Sequence, residues 1–212
     1  MTATGKTAAR KKTREGRANG RNRAVLKNLA SQQVRTGQTV PWPHPLLAAR
    51  NLQLAAAGTM PLYDYIALDS GYAVELAGSI NDRDADRTMR LVHRILPFAD
   101  VSSGAGFSVM YKMGGTNLEI GTYRPGKKVS ASGLQQVAET VLPLMRTIAA
   151  SIPFALSLLQ LYGTKNKSEL MRLVTTVVPA ERIKDAGTDA YGFYFVIRTS
   201  GGASYNFTLY IC

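Results

Sequence analysis

Met89-Arg90-Leu91-Val92 returns as Met171-Arg172-Leu173-Val174, 82 positions later. The same offset carries Ile95-Leu96-Pro97 onto Val177-Val178-Pro179, Pro61-Leu62 onto Pro143-Leu144, and Ile66-Ala67 onto Ile148-Ala149. Tyr72-Ala73-Val74 and Leu76 fall on Phe154-Ala155-Leu156 and Leu158 in the same frame. Further on, Gly106-Phe107 meets Gly192-Phe193 and Gly114-Gly115 meets Gly201-Gly202, after small insertions. A register held this long predicts an internal duplication, with units over 58–124 and, after a linker, within 125–211.

Within the first unit the expectation is a helix opening at Pro61, a second near 72–79, and a polar turn at Asn81-Asp82-Arg83-Asp84. A third helix follows over about 84–96, with Met89, Val92 and Leu96 on its apolar face. A hairpin closes the unit, residues 107–113 and 118–123 flanking Gly114-Gly115, which supplies the positive φ a tight turn needs. The second unit repeats the order: helices over about 133–162 and 168–177, then strands over 193–198 and 205–211. Phe193, Phe195 and Ile197 alternate with Tyr194, Val196 and Arg198, as strand residues do. One hairpin is marginal in water, so the two are expected to join as a four-stranded antiparallel sheet under helices. The fold class is α+β, internally duplicated.

Ahead of the first unit, residues 36–57 hold Pro41-Trp42-Pro43-His44-Pro45, a stiff extended connector. A short helix is expected over 46–57, ending at Gly58, with Trp42 packing the connector onto the body rather than stacking on a base. Between the units, Arg124-Pro125-Gly126-Lys127-Lys128 reads as a basic, breaker-rich linker.

The chain has 212 residues, 45% of them hydrophobic, and a formal charge of +12. That charge is unevenly spread. Residues 1–35 carry Lys6, Arg10, Lys11, Lys12, Arg14, Arg17, Arg21, Arg23, Lys27 and Arg35 against the single acid Glu15, a net of nine positive charges. The other 177 residues hold sixteen bases and thirteen acids, a net of three. Residues 1–23 contain no hydrophobic side chain larger than Ala after Met1. Such a segment buries too little to offset its ordering entropy and is expected to be disordered when free. Polycationic, Arg-rich segments neutralise phosphates and release counterions, and the guanidinium fork can hold two phosphate oxygens. These ten bases are the candidate nucleic-acid-binding residues, for RNA, with DNA as the alternative. The blander reading is a solvated or nuclear-localisation tail.

Other chemistry is poorly supported. The only cysteine, Cys212, excludes an internal disulfide and a thiolate zinc site. Thr4-Gly5-Lys6-Thr7 lacks the earlier glycine and strand of a phosphate-binding loop. His44 and His93 have no legible partner for catalysis. Asp82, Asp84 and Asp86 alternate, but they lack the glycine and distal Glu of a calcium loop and read better as a helix start. Leu76-Ala77-Gly78-Ser79-Ile80 resembles a homing-endonuclease helix motif, but Arg83 stands where its acid belongs. Phe193, Tyr194, Phe195, Tyr205, Phe207 and Tyr210 could stack on bases as an RNA-binding sheet does, although a buried sheet face accounts for them more simply. No catalytic residue, metal or cofactor is expected. No apolar h-region follows the basic start, which argues against a secretory signal. Residues 141–162 are the longest apolar run, and their counterpart 59–80 carries Asp64, Asp69 and Glu75, so a buried helical pair is expected rather than a membrane span.

In organisation, a basic N-terminal arm (Lys6 to Arg35) joined to a compact body resembles the coat or nucleocapsid proteins of small RNA viruses. The resemblance covers the arm and the general size and carries no specific motif. It implies a non-enzymatic structural protein that packages RNA through its arm and self-associates through its body, found in the virion or in host cytoplasm or nucleus. It departs from the eight-stranded jelly roll of many such bodies. The alternative is a non-viral ribonucleoprotein or ribosomal component whose arm threads into folded RNA.

Overall fold

A computed structural model describes residues 44–211. Lys6, Arg10, Lys11, Lys12, Arg14, Arg17, Arg21, Arg23, Lys27, Arg35, Trp42 and Cys212 lie outside the described residues.

The described chain runs through three helices and three strands, and then through three helices and three strands again. The first set is α1 (Pro45–Leu68), α2 (Ser70–Asn81), α3 (Ala85–His93), β1 (Asp100–Ser103), β2 (Gly106–Met113) and β3 (Thr116–Tyr123). The second is α4 (Ala131–Ala150), α5 (Ile152–Thr164), α6 (Lys167–Val174), β4 (Ile183–Thr188), β5 (Gly192–Arg198) and β6 (Ser204–Ile211), with a 3-10 turn at Ala180–Arg182 before β4. The class is mixed α and β.

Polar caps set the helix starts, because the first N–H groups of a helix have no partner inside it. Asp69 accepts from Tyr72 N at 2.8 Å and begins α2, while Ser151, 82 residues on, accepts from Phe154 N at 3.2 Å and begins α5. Asp84 accepts from Arg87 N at 2.8 Å ahead of α3, and Asn166 accepts from Glu169 N at 3.1 Å ahead of α6. Asp84 thus serves as the helix cap its sequence context suggested.

The sheet is larger than expected. It has six antiparallel strands in the order β1-β2-β3-β6-β5-β4. The two expected hairpins occupy its middle and meet through β3 and β6, paired from Leu118↔Ile211 to Tyr123↔Asn206. Edge strands β1 and β4 went unread because neither looks like a strand. Asp100-Val101-Ser102-Ser103 is short and polar, and β4 contains Lys184, Asp185 and Gly187 with a register shift between Ile183 and Asp185. Short, charged or bulged strands are what sheet edges use to discourage further pairing.

Helix α1 corrects two further expectations. It does not stop at Gly58, and no new helix opens at Pro61. One helix runs through both, with Pro61 in its interior, as Pro143 lies inside α4. Gly58 is there for closeness: an added Cβ would stand 3.0 Å from Tyr111 Oη. Packing supplies what the proline's missing N–H and the glycine's flexibility remove. In α3 the buried residues are Thr88, Leu91 and Val92, so Val92 lies on the inner face as expected, whereas Met89 is 38% exposed and its place is taken by Thr88. Thr88 turns inward because its hydroxyl donates to Ser79 Oγ at 2.9 Å.

Helices α1 and α4 form the most extensive helix contact. Gln53 Nε2 donates to the terminal carbonyls of α4, Ile148 O at 3.2 Å and Ala149 O at 3.0 Å. Gln135 Nε2 donates in return to Ala67 O, near the end of α1, at 3.3 Å. Arg146 pairs with Asp64 at 2.7 Å. Beneath them lies the inner face of the sheet, with Phe107, Val109, Leu118, Ile120, Phe193, Phe195, Ile197, Tyr205, Phe207, Leu209 and Ile211 all buried. Tyr63 reaches into this layer, bonds Thr122 Oγ1 at 2.8 Å and lies edge-on to Phe207. Burial pushes the Tyr63 hydroxyl far above its ordinary pKa, so it stays neutral. No single described helix is long and apolar enough to cross a membrane, and the apolar pair α4 and α5 is bent by 108°. Its apolar residues Val141, Leu144, Met145, Ile148, Phe154, Leu158 and Leu159 are buried in the fold.

Gln53→Ala removes two hydrogen bonds, leaving Ile148 O with only the 3.4 Å bond from Ser151 N, and is expected to cost about 2 kcal/mol, with Gln135→Ala costing about half as much, in urea or thermal melts. Asp69 has its carboxylate pKa lowered, chiefly by the Tyr72 N–H. Its contribution is complete above the ordinary carboxylate pKa and fades as pH falls through the depressed value. Asp69→Asn should therefore flatten the acid side of a stability–pH profile.

Candidate nucleic-acid interface

The sequence placed its candidate binding residues in the arm, outside the described residues. Within them, positive charge gathers in one cleft of about 670 Å³ that the sequence reading did not assemble. Three segments far apart in sequence build it, and each is held by bonds of its own.

The first is the turn from α2 into α3. Arg83 N donates to Ile80 O at 3.1 Å and Asp84 N to Ser79 O at 3.0 Å, the paired bonds that close a helix over a left-handed residue. That residue is Arg83, at φ 56°, where glycine is usual. Ser79 and Thr88, joined through their hydroxyls, form a buried polar floor. The second segment is the β1–β2 turn, where Ser103, Gly104 and Ala105 line the cleft.

The third is the chain leaving β3. Arg124 N donates to Ala105 O at 2.9 Å, its guanidinium lies 5.2 Å over the Tyr205 ring, and it donates to Lys128 O. Gly126 takes φ 65°. Asn81 then clamps the segment to the end of α2, donating to Val129 O and accepting from Val129 N, both at 2.8 Å. Lys127 and Lys128 emerge from this fixed turn exposed to solvent.

Arg83, Arg124, Lys127 and Lys128 therefore face one cavity whose lining holds no Asp or Glu. Among the described residues none of the four forms an ion pair. Arg94, Arg146 and Lys167, by contrast, are paired with Glu75, Asp64 and Asp185. The acids nearest in sequence are engaged elsewhere: Asp84 caps α3, and Asp82 lies 4.0 Å from Arg87. Such a surface attracts anions.

The remaining candidates separate cleanly. Phe193, Phe195, Tyr205 and Phe207 are buried in the core, while Tyr194 and Tyr210 are half-buried on the opposite sheet face. Tyr210 shares a 3.0 Å hydrogen bond with Tyr123 and packs against Tyr191. His93 donates from Nε2 to Ala99 O at 2.9 Å, and exposed His44 precedes α1. Among the described residues no group of His, Cys, Asp and Glu is arranged to hold a metal ion. The signals for the cleft were present, in the basic linker and the polar turn after Ile80. Their convergence was not legible, since some forty residues separate them.

No protein family, no curated protein and no solved structure matches the chain.

Holding Arg83 at positive φ carries a strain of about 1 kcal/mol. Arg83→Gly is therefore expected to raise the melting temperature by roughly 2–4 °C for a chain of this size. Lys165→Gly, at the other positive-φ non-glycine site (φ 52°), should do the same. Differential scanning calorimetry decides both.

Proposed function

We propose that the chain is a structural nucleic-acid-packaging protein of the coat or nucleocapsid type, binding RNA through its basic arm and self-associating through its body. The observation that carries the reading is the partition of charge, nine net positive charges on residues 1–35 against three on everything after them. A segment so charged and so poor in apolar residues gains most of its binding energy from phosphate neutralisation. The body has features suited to contacts with its own kind. Phe98 is 99% exposed and Leu68 86% exposed, with Leu46 and Val74 also out in solvent. Large exposed apolar side chains favour protein–protein contact.

We infer also that the body is a duplicated unit. The 82-residue register is supported by helices α2 and α3 and their counterparts α5 and α6, which begin 82 apart. The positive-φ residues Arg83 and Lys165, and the reciprocal Gln53 and Gln135, keep the same offset. In the sheet, Gly121 pairs with Thr208 and Tyr123 bonds Tyr210, each 87 apart, the offset of the two hairpin glycine pairs. The body is then a covalent pseudo-dimer.

Electron microscopy and light scattering of the full chain with RNA test the packaging reading. Uniform particles at low salt are expected, and they should be lost when the ten arm bases are changed to Gln. If all ten arm bases meet phosphates of a single strand, the log–log salt dependence of binding has a slope of about −7. A monomer under every condition would remove the assembly claim and favour a ribonucleoprotein component. Phe98→Asp should weaken assembly while changing monomer stability by less than about 0.5 kcal/mol.

A further inference from the structure

We propose that the cleft between α2, the β1–β2 turn and the chain after β3 is a phosphate-ester site that takes one nucleotide of a single-stranded nucleic acid. The proposal rests on the nucleic-acid reading above and adds a second place of contact, on the folded body. Four cations converge there, Arg83, Arg124, Lys127 and Lys128, without a lining carboxylate. Bringing like charges together costs free energy unless an anion joins them. The chain accepts a further cost by placing an arginine, rather than glycine, at the left-handed position that opens onto the cavity.

Size and chemistry narrow the ligand. A cavity of about 670 Å³ admits a small-molecule-sized group. A nucleotide fits that range, whereas a double helix is too wide to enter. Arg124 and Arg83 offer planar forks for phosphate oxygens, and the two lysines offer mobile point charges at the rim. No aromatic residue lines the cleft among the described residues, and Tyr205, under the Arg124 guanidinium, is buried and presents no stacking surface. The site therefore reads the backbone rather than the base, and it binds without regard to sequence.

The test is hydrogen–deuterium exchange on the full chain with 5′-phosphorylated hexauridylate, inorganic phosphate or a hexaglutamate peptide as probes. The expected result is protection by hexauridylate in peptides spanning 79–88, 103–106 and 124–129. That protection should persist in the variant with ten neutralised arm bases, and fall at least tenfold in apparent affinity in Lys127→Gln/Lys128→Gln. Binding of hexauridylate to this double variant should also lose about 1.4 from its log–log salt slope, two phosphate contacts of a single strand. Arg83→Asn, which retains the left-handed turn, serves as a second variant should the double one fold poorly. Protection confined to the arm overturns the cleft proposal and leaves packaging intact. Cleft protection without any effect of arm neutralisation on packaging overturns the packaging reading alone. Protection by inorganic phosphate but not by hexauridylate, or by hexaglutamate as strongly as by hexauridylate, overturns the assignment to a nucleic-acid strand.

Discussion

Gln53 and Gln135 tie residues 45–123 to residues 131–211 near the ends of their two long helices. The last carbonyls of a helix have no donor within it, and a buried carbonyl without a donor costs about 1–3 kcal/mol. Here each long helix receives a donor near its end from the other half, Gln53 serving Ile148 O and Ala149 O of α4 and Gln135 serving Ala67 O of α1. The sheet follows the same rule. Strands β1 to β3 would stop at an unpaired edge on β3, and β4 to β6 at one on β6, until the two edges meet. The arrangement is not free of cost, for Gln53 Oε1 and Thr208 Oγ1 are buried without a hydrogen-bond partner. Those losses are small beside the shared layer of Phe, Leu, Ile and Tyr side chains that the union covers.

What the sequence revealed and what it hid have physical causes. The repeated register located α2, α3, the apolar α4–α5 stretch, α6 and the central hairpins, because apolar periodicity and glycine turns leave a local signature. It failed where a residue's role is set from a distance. Gly58 resembles a helix end until Tyr111 is seen lying against it. Pro61 resembles a helix start until α1 is seen to be held on both sides of it. Thr88 was passed over in favour of Met89 because a pattern of apolar residues does not count a hydroxyl that finds Ser79 inside the fold. The edge strands carry the polar and small residues that edges need, which is why they do not look like strands. As for the site, the arm stands out in composition alone and lies outside the described residues. The cleft needed three segments brought together by Asn81, Arg124 and the turn at Arg83.

Under the proposed duplication, the two halves differ in charge. The turn before α3 puts Arg83 beside a cavity, and the corresponding turn before α6 puts Lys165 in the same left-handed conformation. After that turn the second half spends its lysine on a partner, Lys167 reaching Asp185 at 2.7 Å. The first half instead receives Arg124, Lys127 and Lys128 from the segment that joins the halves, and a joining segment belongs to neither unit. On the proposed duplicated frame, the asymmetry of the cleft arises from the linker.

The meeting of β3 with β6 also fixes the order in which the chain can fold. Their paired residues lie between 83 apart, for Tyr123 and Asn206, and 93 apart, for Leu118 and Ile211. Closing a loop of that length costs about 4 kcal/mol of chain entropy, but the α1–α4 contact closes nearly the same loop. The cost is therefore borne once, and the helical and strand contacts form cooperatively as one slow, long-range step. Until that step the eight residues of β3 stand ready for any β6, their own or a neighbour's, so crowded chains face a kinetic choice between closing alone and exchanging halves.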